Sequence, residues 1–178
     1  MTIAQAQDEV RTVFLNGSVG QLVSAIVWLS SSAFATWGST RQAILVLIFG
    51  GMLIFPLTQL ALRMSGRPFV LSAENPLGHL AMQVAFIVPL TLPVAGAAAL
   101  HNLNWFYPAC AVVVGAHYLP FVFLYGMWQY AVLSAVVLGG GFACGLLLPH
   151  AFTYGGWCTG AVLVAFAGWA AVTPKRGR

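Results

Sequence analysis

Long apolar runs broken by short polar stretches set the pattern of this chain. A helix needs about 20 mostly apolar residues to cross a bilayer core. Six stretches qualify: 13–37, 42–64, 78–100, 105–124, 128–148 and 151–172. The fourth and fifth come from one run, Trp105–Leu148, which is too long for one span and suits two. Tyr125-Gly126-Met127 is the expected turn between them, because glycine tolerates the backbone angles a turn requires. Regular alternation of apolar and polar residues is absent, which argues against a β-barrel. The connecting loops are short, and the most substantial is Arg63–Pro76. The pattern predicts a single transmembrane domain over residues 1–178, an all-α polytopic bundle of about six membrane helices.

Composition names the solvent. Charged residues are 6% of the chain and hydrophobic residues 60%, against about 25% charged in soluble proteins. Mean hydropathy is +0.90. So few charges cannot cover a water-exposed surface, which excludes an ordinary soluble enzyme, a disordered chain and a nucleic-acid-binding domain. The lipid bilayer is the expected partner. The cations then serve as topology marks. Arg11, Arg63, Arg67, Lys175, Arg176 and Arg178 fall on one side and Arg41 on the other, predicting both termini in the cytoplasm. Interfacial aromatics are expected at Trp37, Trp105, Tyr107 and Trp157 outside and at Trp128 and Tyr130 inside. The first thirteen residues carry two acids and no basic leader, unlike a cleavable signal. Cys110, Cys144 and Cys158 have no metal-ligand spacing, so no metal and no cofactor is expected.

Packing and polar groups supply the remaining signals. Membrane helices associate through small residues and interhelical hydrogen bonds. Gly141/Gly145 and Gly156/Gly160 are GxxxG pairs, read either as internal packing or as homodimer seams. Gly50-Gly51 before Pro56 and Gly140-Gly141 before Pro149 hint at two inverted three-helix halves, and chance similarity explains them as well. Pro89 and Pro93 free the carbonyls of Ala85 and Pro89, with Thr91 at hand to repair the ladder. Polar groups within lipid face the bundle interior or a cavity. Asn16, Gln21, Gln59, Gln83, Gln129 and His117 all fall in the cytoplasmic half and are the candidate substrate-binding residues. Interhelical ties explain them too. His117, in Gly115-Ala116-His117-Tyr118-Leu119-Pro120, is the sharpest: it reads as a ligand or proton site, or as a satisfied structural histidine. Asn75-Pro76 starts a helix, and Glu74 can pair with Arg63 or Arg67 at the inner face.

Four segments carry a resemblance: Gly17–Leu22 with Trp28, Phe55–Thr58, Glu74–Leu77 and Gly115–Phe121. Together they resemble a family of small bacterial integral membrane proteins of unknown function, over nearly the whole chain. The resemblance implies a multi-pass protein of the bacterial inner membrane and brings no activity or catalytic residue. Catalytic constellations are absent: there is no GxSxG, no HExxH and no intramembrane carboxylate pair. The expected function is therefore a small-molecule transporter or permease with a polar vestibule in the cytoplasmic half. The alternative is a structural partner of another membrane component. A membrane-embedded enzyme ranks below both.

Overall fold

A computed structural model describes residues 1–66 and 69–174. Arg67, Lys175, Arg176 and Arg178, which carry part of the charge argument and one arm of the expected ion pair, lie outside the described residues. Among the described residues the chain is helical without strands. Eight α-helices run α1 Ile3–Val13, α2 Ser18–Trp37, α3 Thr40–Met64, α4 Leu77–His101, α5 Phe106–Tyr118, α6 Phe121–Tyr125, α7 Gln129–Leu147 and α8 Tyr154–Val172. Five segments, Leu15–Trp37 (through α2), α3, α4, α7 and α8, are long and apolar enough to cross a membrane. The fourth expected span is two shorter helices. Pro120 cannot donate to Ala116, so the Ala116 carbonyl accepts from Leu119 instead (3.2 Å) and α5 stops at Tyr118. The turn at Gly126 is as expected, with φ +61°.

The N-terminal expectation needs correction. Residues before the first span form α1, opened by a capping box in which Thr2 and Gln5 bond reciprocally. The apolar stretch from Val13 does not run on as one helix. Leu15, Asn16 and Gly17 all have positive φ and turn the chain sharply. Asn and Gly tolerate that region, and a Cβ on Gly17 would collide with the Tyr130 hydroxyl.

α1 lies across one end of the bundle, burying Ala6, Val10 and Val13. Arg11 donates to the Tyr125 carbonyl at the end of α6 (2.6 Å) and pairs with Asp8 (3.3 Å). A cation at a helix C-terminus also suits the helix dipole. Glu9 holds the loop before α4. It accepts from the Ser72 N–H (2.6 Å), the Ser72 hydroxyl (3.0 Å) and Asn75 Nδ2 (2.9 Å). These donors, the Ser72 N–H first, hold the Glu9 carboxyl below its usual 4.5. The latch is therefore complete above that pH and weakens as pH falls through the lowered value.

The long helices form a horseshoe. α2 packs on α3 on one side and α8 on the other, α5 packs on α7 and α4, and α8 touches α5 and α7. α3 and α4, joined by the 65–76 loop, end the horseshoe and share no packed face. Glycines set the close approaches. Gly115 lies against Leu138 of α7, Gly141 against Pro108 and Val112 of α5, and Gly145 against Trp105. Gly156 faces Ser32 and Tyr107, and Gly160 faces Leu29. All four GxxxG glycines thus face neighbours in the same chain. Ser134 of α7 adds a hydrogen bond to the Gly115 carbonyl (2.8 Å). Tyr107 and Tyr130, expected at interfaces, are fully buried inside.

Gly115→Ala tests this packing. The new Cβ would lie 2.5 Å from the Leu138 nitrogen, and overpacking of that kind costs about 1–3 kcal/mol. Gly139→Ala, whose Cβ meets nothing within 4 Å, is expected to be neutral or slightly stabilising. Thermal unfolding in detergent reads both, and equal midpoints would contradict the α5–α7 contact.

Candidate functional site

The arms of the horseshoe enclose a cavity of about 480 Å³ between α2, α3, α4 and α5, with α6 and Phe14 closing the end under α1. Each helix contributes one stripe. On α3 it runs Leu47, Gly51, Ile54, Thr58, and on α4 Ala81, Ala85, Val88, Leu92, both at helical spacing. Leu47 to Thr58 spans about 17 Å at 1.5 Å per residue, so the cavity is elongated along the bundle.

Its two ends differ. Near α1 gather Gln21 and Ser24 of α2, Thr58 and Gln59 of α3, and His117 and Tyr118 of α5. Towards the middle the lining turns apolar, with Leu47, Ile48, Leu92 and Val113 around Trp28 and Cys110. None of the lining residues is Asp, Glu, Lys or Arg.

The polar end holds three buried atoms without a hydrogen-bond partner: Gln21 Oε1, Gln59 Oε1 and His117 Nδ1. Gln21 lies beside Tyr118 and Tyr130, and the His117 ring lies beside the backbone of Val84 on α4. Leaving a buried acceptor unmatched costs about 1–3 kcal/mol, so three such atoms in one cavity mark a place built to receive donors.

Three of the six expected binding residues, Gln21, Gln59 and His117, therefore converge. The other three do not. Gln83 is exposed on α4. It lies two residues, or about 200° of helix, from Ala81, and so turns away from the cavity stripe. Gln129 begins α7, which runs behind α5 and does not line the cavity. Asn16 is buried, but its amide donates to the carbonyls of Ala170 (3.0 Å) and Thr173 (3.1 Å), tying down the end of α8. Tyr130 donates to the Asn16 carbonyl (2.9 Å).

Of the expected inner-face ion pair, the Glu74–Arg63 arm is not formed, and the Glu74–Arg67 arm lies outside the described residues. Among the described residues the one side-chain ion pair is Arg11–Asp8, while Arg63 and Glu74 are exposed and unpaired with each other. The acid that organises this face is Glu9. Thr91, expected to repair the proline-broken ladder, donates to Ile87 (2.6 Å) and Val88 (3.2 Å) rather than to Ala85 or Pro89.

Thr58 and Tyr118 are site residues outside the expected set, and Ser24, which the sequence places in the same half as Gln21, joins them. Their signal was spacing: Ser24 lies one turn from Gln21, Thr58 adjoins Gln59 and Tyr118 adjoins His117.

No curated protein and no solved structure matches the chain. One family profile does, a family of unknown function (DUF7010), over residues 3–173. That span takes in α1, the horseshoe and every residue of the cavity. The chain belongs to the DUF7010 family of unknown function.

Proposed function

We propose that the protein is a multi-pass protein of the bacterial inner membrane that binds an uncharged small molecule in this cavity and acts as a permease for it. The observation that carries the reading is the convergence of Gln21, Gln59 and His117, each with an unmatched buried atom, at one end of a roomy cavity. A purely structural role for these groups would pair them with one another or with backbone, as Ser134 and Tyr130 are paired. The lack of charged lining supports an uncharged solute, because an ion there would meet no countercharge. Two features support a passage rather than a closed pocket. The polar end lies just beneath α1, and α4 carries Pro89 and Pro93 within its length. The reading places the α1 end, with Arg11 and Arg63, on the cytoplasmic side.

Two measurements test the binding reading together. Gln59→Leu removes an unmatched buried atom, so the purified protein keeps or raises its thermal midpoint. Ser24→Cys, in a chain freed of its native thiols, reacts with a neutral methanethiosulfonate at least tenfold faster than Ser134→Cys, which is buried between α5 and α7. A lowered midpoint together with an unreactive Ser24→Cys would sink the proposal.

Orientation has its own check. Thr2→Cys in the same background is expected to react with a membrane-impermeant maleimide only after cells are opened. Labelling of intact spheroplasts at full rate would reverse the topology.

A further inference from the structure

The cavity has a side wall missing, and its position bears on what enters. α3 packs on α2 and α4 on α5, and among the described residues α3 and α4 share no packed face. Residues along this gap line the cavity while facing outward. Met52 is 64% exposed and Phe55 60% exposed, and Ala85 and Pro89 opposite are exposed as well. Gly51, also in the lining, has nothing within 4 Å of where a Cβ would stand. Beyond these residues the outer faces of both helices are apolar, with Phe49, Leu53, Phe86 and Leu90 exposed. In a membrane this opening meets hydrocarbon rather than water.

The lips of the gap carry a second feature. Pro56 has no N–H to give the Met52 carbonyl, and Pro89 has none for the Ala85 carbonyl. Met52, on α3, and Ala85, on α4, are both in the cavity lining. Thr58 and Thr91 bond elsewhere, to Ile54 and to Ile87 and Val88, and leave both carbonyls alone. Unmatched backbone acceptors at membrane depth are tolerated where they line a cavity. Together with Gln21 Oε1, Gln59 Oε1 and His117 Nδ1, the carbonyls that lose their usual helical donor to Pro56, Pro89 and Pro93 form a set of polar atoms without charge. Such a set suits hydroxyl donors.

We infer that the ligand is an uncharged, hydroxyl-bearing amphiphile that enters sideways from the bilayer between α3 and α4. Its hydroxyls sit at the Gln21–Gln59–His117 end, and its hydrocarbon lies along Leu47, Trp28 and Leu92. The lip carbonyls meet the hydroxyls in passing, lowering the cost of carrying them through a hydrocarbon-facing gap. This assignment rests on the proposed binding role of the cavity and names its substrate class and entrance.

The test uses the full chain in lipid nanodiscs with a photoactivatable monoacylglycerol bearing a diazirine in its acyl chain. Labelled residues are mapped by mass spectrometry. Label is expected on cavity residues of α3, α4 and α5, and excess 1-monooleoylglycerol reduces it at least fivefold while excess oleate does not. Gly51→Phe, which fills the entrance from open space, reduces it at least fivefold. Gly139→Phe, in open space on α7, changes it less than twofold. Met52→Trp is the second entrance variant, and unchanged thermal midpoints confirm that both fold.

Label that persists in Gly51→Phe and Met52→Trp but disappears in the Gln21→Leu/Gln59→Leu double variant overturns the sideways entrance. Equal displacement by oleate overturns the uncharged head group. Label that 1-monooleoylglycerol does not displace overturns the lipid-like ligand. In that last case a reactive Ser24→Cys leaves the cavity reading standing for a water-soluble solute, and an unreactive one removes both.

Discussion

The Ser31 hydroxyl joins three helices at the closed end of the bundle. It donates to the Ala43 carbonyl of α3 (2.7 Å) and meets the Tyr107 hydroxyl of α5 (2.6 Å). With its own proton directed to Ala43, Ser31 accepts from Tyr107. Both side chains are fully buried. Tyr107 also packs on Trp28 and beneath Gly156, so α2, α3, α5 and α8 meet at one point. This tie lies in the half remote from α1. Among the described residues no side-chain hydrogen bond joins α3 to α4 in the other half, and the cavity lies between them there.

The absence of interior charge shapes everything below that point. Close packing of Gly115, Gly141, Gly156 and Gly160 brings α5, α7, α8 and α2 together without salt bridges. Polar groups at the α1 end then divide into two kinds. Ser134 and Tyr130 are bonded to backbone carbonyls and hold the seams, and Asn16 ties the end of α8 through its amide nitrogen while its Oδ1 stays unmatched outside the cavity lining. Gln21, Gln59 and His117 keep an atom unmatched and face the cavity. The cavity-facing polar groups are therefore marked by an unmatched atom together with a place in the cavity lining, rather than by residue type or depth. α1 completes the arrangement: Glu9 and Arg11 fasten it to the α4 loop and to α6, so it closes the end of the bundle beneath the polar cluster.

Much of the fold was legible from apolar run length and from proline and glycine. The Gly126 turn, the break before Pro120 and the internal use of small residues all follow from local chemistry. The sharp turn at Leu15–Gly17 was also signalled, because Asn-Gly is a turn dipeptide, but the apolar residues on both sides masked it. α1 was missed for a different reason: its apolar face is short and shows only through the Thr2/Gln5 capping box. In the site, depth along each span placed all six polar candidates in one half of the bundle. Depth carries no angular information, so it could not separate Gln83, facing away, from Gln21 and Gln59, facing in. Pairing Glu74 with arginine followed sequence proximity. Glu9, sixty-three residues from Ser72, reaches the same loop only because α1 folds back across the bundle end.

A structure of the full chain in a lipid nanodisc tests the central claim most directly. The account predicts that α3 and α4 stand apart, with elongated density running from between Met52 and Ala85 to Gln21, Gln59 and His117. Met52 and Phe55 packed directly against Ala85 and Pro89, with those three polar groups bonded to one another and no space between the helices, would contradict it.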